Sequence, residues 1–158
     1  MAAANYYRSD PIPTPAPEQA TKIARAELVF YGVDHSGLSF EARVFIDNEE
    51  ATMETPNEDP SYVGSFRIFG HGGCFGEEGH CDVPRGSQDA FDLRLPHQLL
   101  PHTKTVGITN FLRERLQHRD DAPMIVTVIP VARGWPSSQE DVAENLLKFE
   151  RLALVTYD

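Results

Sequence analysis

The sequence predicts a mainly β fold, an antiparallel β-sandwich or partly open barrel of about seven strands with one short helix. Three observations carry this. Short runs of alternating apolar and polar residues recur along the chain and are separated by Gly-, Pro- and Asp-rich turns. Only one stretch has helical spacing, and there is neither an internal repeat nor the strand–helix alternation of a parallel sheet. With 158 residues, 41 % hydrophobic and 24 % charged, the chain is long enough for a single domain with a real core. The net charge of −10 argues against nucleic acid as a partner, which would require a basic face. No apolar run reaches membrane-spanning length. The N-terminus lacks the charged start and apolar centre of a secretory signal, so the expected compartment is the cytoplasm, where both cysteines would stay reduced.

Residues 1–22 read as a Pro-rich arm, and residues 23–158 as the β-domain. In the arm Pro11, Pro13, Pro15 and Pro17 alternate with Ile12, Thr14 and Ala16, a pattern that favours extended polyproline conformation and withholds backbone donors from any sheet. It is either a tether that wraps the domain or a tail without a role. From Ala24 the period becomes two, with Ala26, Leu28 and Phe30 on one face and Glu27, Val29 and Tyr31 on the other. Residues 32–37 form a turn into a second alternating run, 40–46, so the two runs predict a hairpin. Residues 47–60 carry six acidic side chains and no basic one, which reads as a solvated loop or as a surface for cations or a basic partner. In the next run Tyr62, Gly64, Phe66 and Ile68 alternate with Val63, Ser65, Arg67 and Phe69. Phe30, Phe45, Phe66 and Phe69 are expected in the core, with a small-molecule pocket as the alternative.

Residues 91–95 alternate again, and 96–102 form a proline-bounded loop that presents Leu99 and Leu100. Residues 105–108 are a short strand. Thr109 is placed to cap a helix over 110–118, where Phe111, Leu112, Arg115 and Leu116 have helical spacing. Residues 123–131, rich in β-branched side chains, read as a central strand with Pro130 near its end. A loop over 134–144, with one helical turn, leads to a last strand at 149–157.

Chemistry concentrates in residues 70–84, which hold both cysteines, two of the six histidines and five of the eleven glycines. His71, Cys74, His80 and Cys81 supply two thiols and two imidazoles, a donor set suited to Cu(I) or Zn(II), with His97 and His102 downstream as substitutes. His35 and His118 stand apart from it. A disulfide between Cys74 and Cys81 is the bland alternative, worth roughly 2.5 kcal/mol on the chain-entropy estimate for so short a loop. Two idle thiols are a third reading. A nucleophilic Cys74 or Cys81 activated by His71 or His80 would make the chain a small enzyme. No Gly-x-Ser-x-Gly, His-Glu-x-x-His or phosphate-cradling glycine loop accompanies them.

The order of features then becomes familiar. A strand reading Phe40-Glu41-Ala42-Arg43-Val44-Phe45-Ile46-Asp47 is followed by Tyr62-Val63-Gly64-Ser65-Phe66 and a His-containing loop. Next come Ile108-Thr109-Asn110-Phe111-Leu112 and Ile125-Val126-Thr127-Val128-Ile129-Pro130. Across residues 26–157 this resembles the C-terminal β-domain of the tyrosinase and polyphenol oxidase family. The Lys-Phe-Asp-Val strand of plant members is blurred here to Ser39-Phe40-Glu41-Ala42-Arg43-Val44. The resemblance implies a β-sandwich that, in fused relatives, covers the entrance to a dinuclear copper site and is removed on activation. The family's copper-binding histidines lie on a helical bundle, whereas the six here fall on loops, turns and one helix end. The expectation is therefore a non-catalytic accessory protein of a tyrosinase-like copper oxidase, acting as active-site shield, folding helper or copper donor. Copper, with zinc as the alternative, would bind through His71, Cys74, His80 and Cys81. Phe75 at the tip of the glycine-rich loop, or Leu99 and Leu100, would enter the mouth of the partner's site. An independent binding module with a structural zinc or disulfide knuckle is the competing function.

Overall fold

The computed structural model describes residues 6–70, 100–132 and 146–158. Within them the alternating runs become seven strands in two antiparallel sheets, with no closed barrel. The strands are β1 (Tyr7–Arg8), β2 (Arg25–Val33), β3 (Phe40–Ile46), β4 (Tyr62–Ile68), β5 (His102–Gly107), β6 (Val126–Val131) and β7 (Arg151–Tyr157). The one α-helix among the described residues, α1 (Thr109–Gln117), lies between β5 and β6. One sheet has the order β1-β6-β3-β4 and the other β5-β2-β7.

The core lies between the sheets because each strand commits one set of alternate residues to it. Ala26, Leu28 and Phe30 of β2 are fully buried, as expected from their period, and Phe30 meets Phe66 of β4 with ring centroids 4.9 Å apart. Ala42, Val44 and Ile46 of β3 and Val126 and Val128 of β6 complete the opposing layer, and Leu112 and Leu116 of α1 cover one end. On the side where β4 approaches β5, Gly64 (φ 143°) admits the neighbouring sheet: a Cβ there would stand 2.9 Å from Val106 Cγ1.

The structure corrects the predicted hairpin. β2 and β3 are consecutive, yet β2 pairs with β5 and β7 while β3 pairs with β4 and β6. Period two reports which face of a strand is buried and is silent about its neighbour. Gly32 also does not begin a turn. It sits inside β2 with φ 68°, where the register with β5 shifts between Phe30 and Val33, so it serves an irregularity of the ladder.

The N-terminal arm joins the sheet despite its prolines. Tyr7 and Arg8 pair with Val128 and Thr127, and Ile12 bridges Met124, its N–H donating to the Met124 carbonyl at 2.8 Å. The donors come from the residues between and before the prolines, and the arm wraps as far as Thr14, whose hydroxyl donates to the Asp121 carbonyl at 2.7 Å. Thr109 is not the helix cap. It is the first helical residue, and its Oγ1 accepts the Ala26 N–H at 3.0 Å, tying α1 to β2, while Ile108 occupies the cap position without a side-chain bond. Phe69 is the remaining correction: it lies outside the core, 84 % exposed. The strand expected at 91–95 and the loop at 134–144 lie outside the described residues.

β3 is buried on its second face as well. Phe45 packs with Ala51 and Ile129, with Tyr62 and Val131 at the margin, so the acidic stretch 47–60 roofs a small second cluster. Arg43 is the pivot beneath it. Only 7 % exposed, it donates from Nη1 to the Met53 carbonyl (3.0 Å) and from Nη2 to the Thr55 carbonyl (2.5 Å) and Asn57 Oδ1 (2.6 Å). Its guanidinium also stands 5.3 Å from the Phe45 ring centre and 5.4 Å from that of Tyr62. Asp47 closes β3 in the left-handed region (φ 54°), its Oδ1 accepting the Ile125 N–H at 2.8 Å and its Oδ2 receiving Arg115 of α1.

Candidate functional site

The geometry of interest is the rim where β4 ends and β5 begins. Both ends of the stretch 71–99 are held there by the short connection between β2 and β3, residues 34–39. On the outgoing side the Gly70 N–H donates to Ser39 Oγ at 3.0 Å. No larger residue fits: a Cβ on Gly70 would lie 2.1 Å from the Gly37 carbonyl oxygen and 2.5 Å from the Leu38 carbonyl carbon. On the returning side the Leu100 carbonyl accepts a hydrogen bond of 2.8 Å from His35 Nε2. Because a carbonyl can only accept, that nitrogen carries the proton. His35 is buried (7 % exposed) and stacks on His102 with centroids 4.0 Å apart and planes inclined by 14°.

The connection is itself braced. The Asp34 N–H donates to the Lys148 carbonyl at 2.9 Å, and Asp34 Oδ1 accepts the Ser36 N–H at 2.8 Å, closing a tight turn around His35. Burial pushes the Asp34 carboxyl up, but the Ser36 hydrogen bonds and the charges of Lys148 and His35 outweigh it. The net effect holds Asp34 below the usual aspartate value.

Of the residues predicted to form the site, His71, Cys74, Phe75, His80, Cys81 and Leu99 lie outside the described residues, as does His97. Leu100 is described and is 56 % exposed, its side chain outward while its backbone is anchored to His35. Two residues that sequence reasoning passed over belong to the rim. His35, far in sequence from residues 70–84, holds one end of the stretch. Phe69, taken for core, is exposed beside Gly70, so an apolar side chain stands at each end. The alternation contained the signal for Phe69, since it shares a strand face with Ser65 and Arg67 and not with Phe66 and Ile68. Nothing local marked His35.

Among the described residues no group of three or more His, Cys, Asp or Glu side chains could hold a metal ion. The His35 and His102 rings lie nearly parallel, and the Nε2–H of His35 faces a carbonyl, so the two do not converge on a common ion as described. The described part thus supplies a scaffold for the stretch 71–99 and no copper centre of its own.

Comparison with known proteins settles the architecture. No protein-family model matches the chain, and no curated protein matches it. Solved structures do. Recombinantly expressed latent aurone synthase, a polyphenol oxidase, matches with a TM-score of 0.54 at 17 % identity, over 99 % of this chain and 25 % of its own. The same enzyme from natural source gives 0.53 at 16 % identity, over the same shares. The chain has the fold of part of a polyphenol oxidase. At such identity the likeness concerns fold, and the resemblance expected from residues 26–157 holds at that level. The chain spans about a quarter of the length of the structures it matches.

Proposed function

We propose that the protein is a non-catalytic accessory unit of a tyrosinase-like copper oxidase, whose β-sandwich presents the glycine-rich loop to the partner. What carries this reading is the match of almost the whole chain to one quarter of a latent polyphenol oxidase. The matched structures are of a latent enzyme, in keeping with a unit that restrains an oxidase. The rim geometry supports the same role. A loop whose two ends are fixed on one rigid connection can be offered to a partner in a defined place. On this reading Phe75, or else Leu99 and Leu100, fills the mouth of the partner's site. His71, Cys74, His80 and Cys81 carry Cu(I), with Zn(II) as the alternative ion.

The test mixes the full chain with the apo form of a tyrosinase-like oxidase and Cu(I), following complex formation by light scattering and the onset of oxidase activity. A complex with altered activation is expected. Phe75→Ala should weaken the complex, and Cys74→Ser with Cys81→Ser should abolish binding of one Cu(I) by the isolated chain. Failure to form a complex at micromolar concentration would leave an independent binding module. Undiminished Cu(I) binding by the double variant would remove the metal assignment.

A further inference from the structure

We infer that β7 is a self-complementary edge through which two copies of this chain associate. Among the described residues β7 pairs with β2 alone, whereas the opposite edge strand of that sheet, β5, packs against β4 of the other sheet. Burial reflects the difference. The β2 residues facing the core, Leu28 and Phe30, are fully buried, and so is Val106 of β5 at 4 %. Their β7 counterparts Leu154 and Leu152, which face the same core, stay partly exposed. Leu152 to Thr156 contain neither of two devices that usually blunt an edge, a charge or a proline.

The choice of a second copy as occupant comes from an Arg–Tyr pattern. In the β2–β7 register Arg25 stands opposite Tyr157 and Tyr31 opposite Arg151. Both pairs stack, with the guanidinium carbon 4.2 Å and 4.3 Å from the ring centre. Antiparallel pairing of β7 with a second β7 about Leu154 places Arg151 of each copy opposite Tyr157 of the other, because 151 and 157 are equidistant from 154. One row across four strands would then read Arg25, Tyr157, Arg151 and Tyr31, the last two from the second copy, with cation and ring alternating throughout. On the same face Ala153 meets Val155. On the core face Leu154 meets its own copy and Leu152 meets Thr156, covering the half-exposed leucines. Because outward-pointing backbone groups recur at every second residue, pairing about a single residue matches donors with acceptors throughout. The occupant is thus a second copy in a two-fold dimer, and this inference stands independently of the proposed oxidase partner.

The full chain should show a concentration-dependent monomer–dimer equilibrium by sedimentation, with a dissociation constant on the order of tens of micromolar, as befits a small interface. Arg151→Glu removes both Arg–Tyr pairs across the interface, along with the Arg151–Tyr31 pair inside each chain, and should raise that constant about tenfold. Leu154→Cys supplies a second measurement. Directly opposed residues have Cα atoms about 4.5–5.5 Å apart, within disulfide reach, so mild oxidation should link Leu154→Cys chains rapidly. Thr156→Cys, which faces Leu152 and not itself, should link slowly, with the parent chain under the same oxidant as baseline. A chain that stays monomeric at about 300 µM overturns the inference. So does a dimer indifferent to Arg151→Glu, or linkage of Thr156→Cys as fast as that of Leu154→Cys.

Discussion

Replacing Arg43 by alanine should release the stretch 51–58 from the sheet while leaving the sandwich folded. The guanidinium makes three charge-assisted hydrogen bonds to Met53, Thr55 and Asn57 and faces two rings, all from a position 7 % exposed. Its acceptors lie on a loop with exposed residues that water can rehydrate, so each lost bond costs nearer 1 kcal/mol than the full desolvation penalty. Adding the ring contacts gives a loss of about 2–4 kcal/mol. For a domain of this size that corresponds to a fall in Tm of roughly 5–15 °C. Arg43→Lys separates geometry from charge. An ammonium retains the positive charge but cannot fork between two carbonyls and an amide, so lysine should restore about half of the loss. Thermal unfolding gives the magnitude, and hydrogen exchange at residues 53–57 locates it. A loss below about 0.5 kcal/mol, full rescue by lysine, or unchanged exchange at 53–57 would refute the argument.

Three other outcomes follow from the rim. His35→Ala should cost about 1–2 kcal/mol and speed exchange near Leu100, while His35→Gln, which can donate to the same carbonyl, should recover part of it. Gly70→Ala forces a methyl group onto backbone atoms of Gly37 and Leu38, and thermal unfolding should show a larger loss than for an exposed Gly→Ala change such as Gly107→Ala, where nothing lies within 4 Å. Asp34 has a folded-state pKa lowered below its unfolded value, so its contribution is present at neutral pH and lost as pH falls below about 4. Asp34→Asn should therefore be less stable than the parent at pH 7, and the gap should close in acid denaturation series run down to about pH 2.

The faces of the strands were legible because burial writes itself into period two. Ala26, Leu28 and Phe30 are buried as their spacing implies, and residues 40–46 form a strand with the bounds read from the sequence. Partners were not legible. Nothing local distinguishes a β2–β3 hairpin from a crossing between sheets, since pairing depends on contacts with β5, β6 and β7 far along the chain. Of the arm, the wrapping was legible and the sheet pairing was not: counting prolines hides the donors that remain, and the Ile12 N–H is one of them. Thr109 has the composition of a cap but spends its hydroxyl on Ala26, a tertiary choice invisible in the local pattern. For the site, the predicted donors His71, Cys74, His80 and Cys81 lie outside the described residues, and the support of the rim arises only once residue 35 meets residue 100 and residue 39 meets residue 70.

That support fixes the two points at which the stretch 71–99 leaves and rejoins the described fold. Because Gly70 docks on Ser39 and Leu100 on His35, both within the one connection 34–39, a displacement of that connection carries the two anchors together. A substitution in 34–39 is therefore felt at both ends of the stretch at once, whereas a change at Gly70 or Leu100 is felt at one. Six residues between β2 and β3 thus act on a segment that begins more than thirty positions further along the chain.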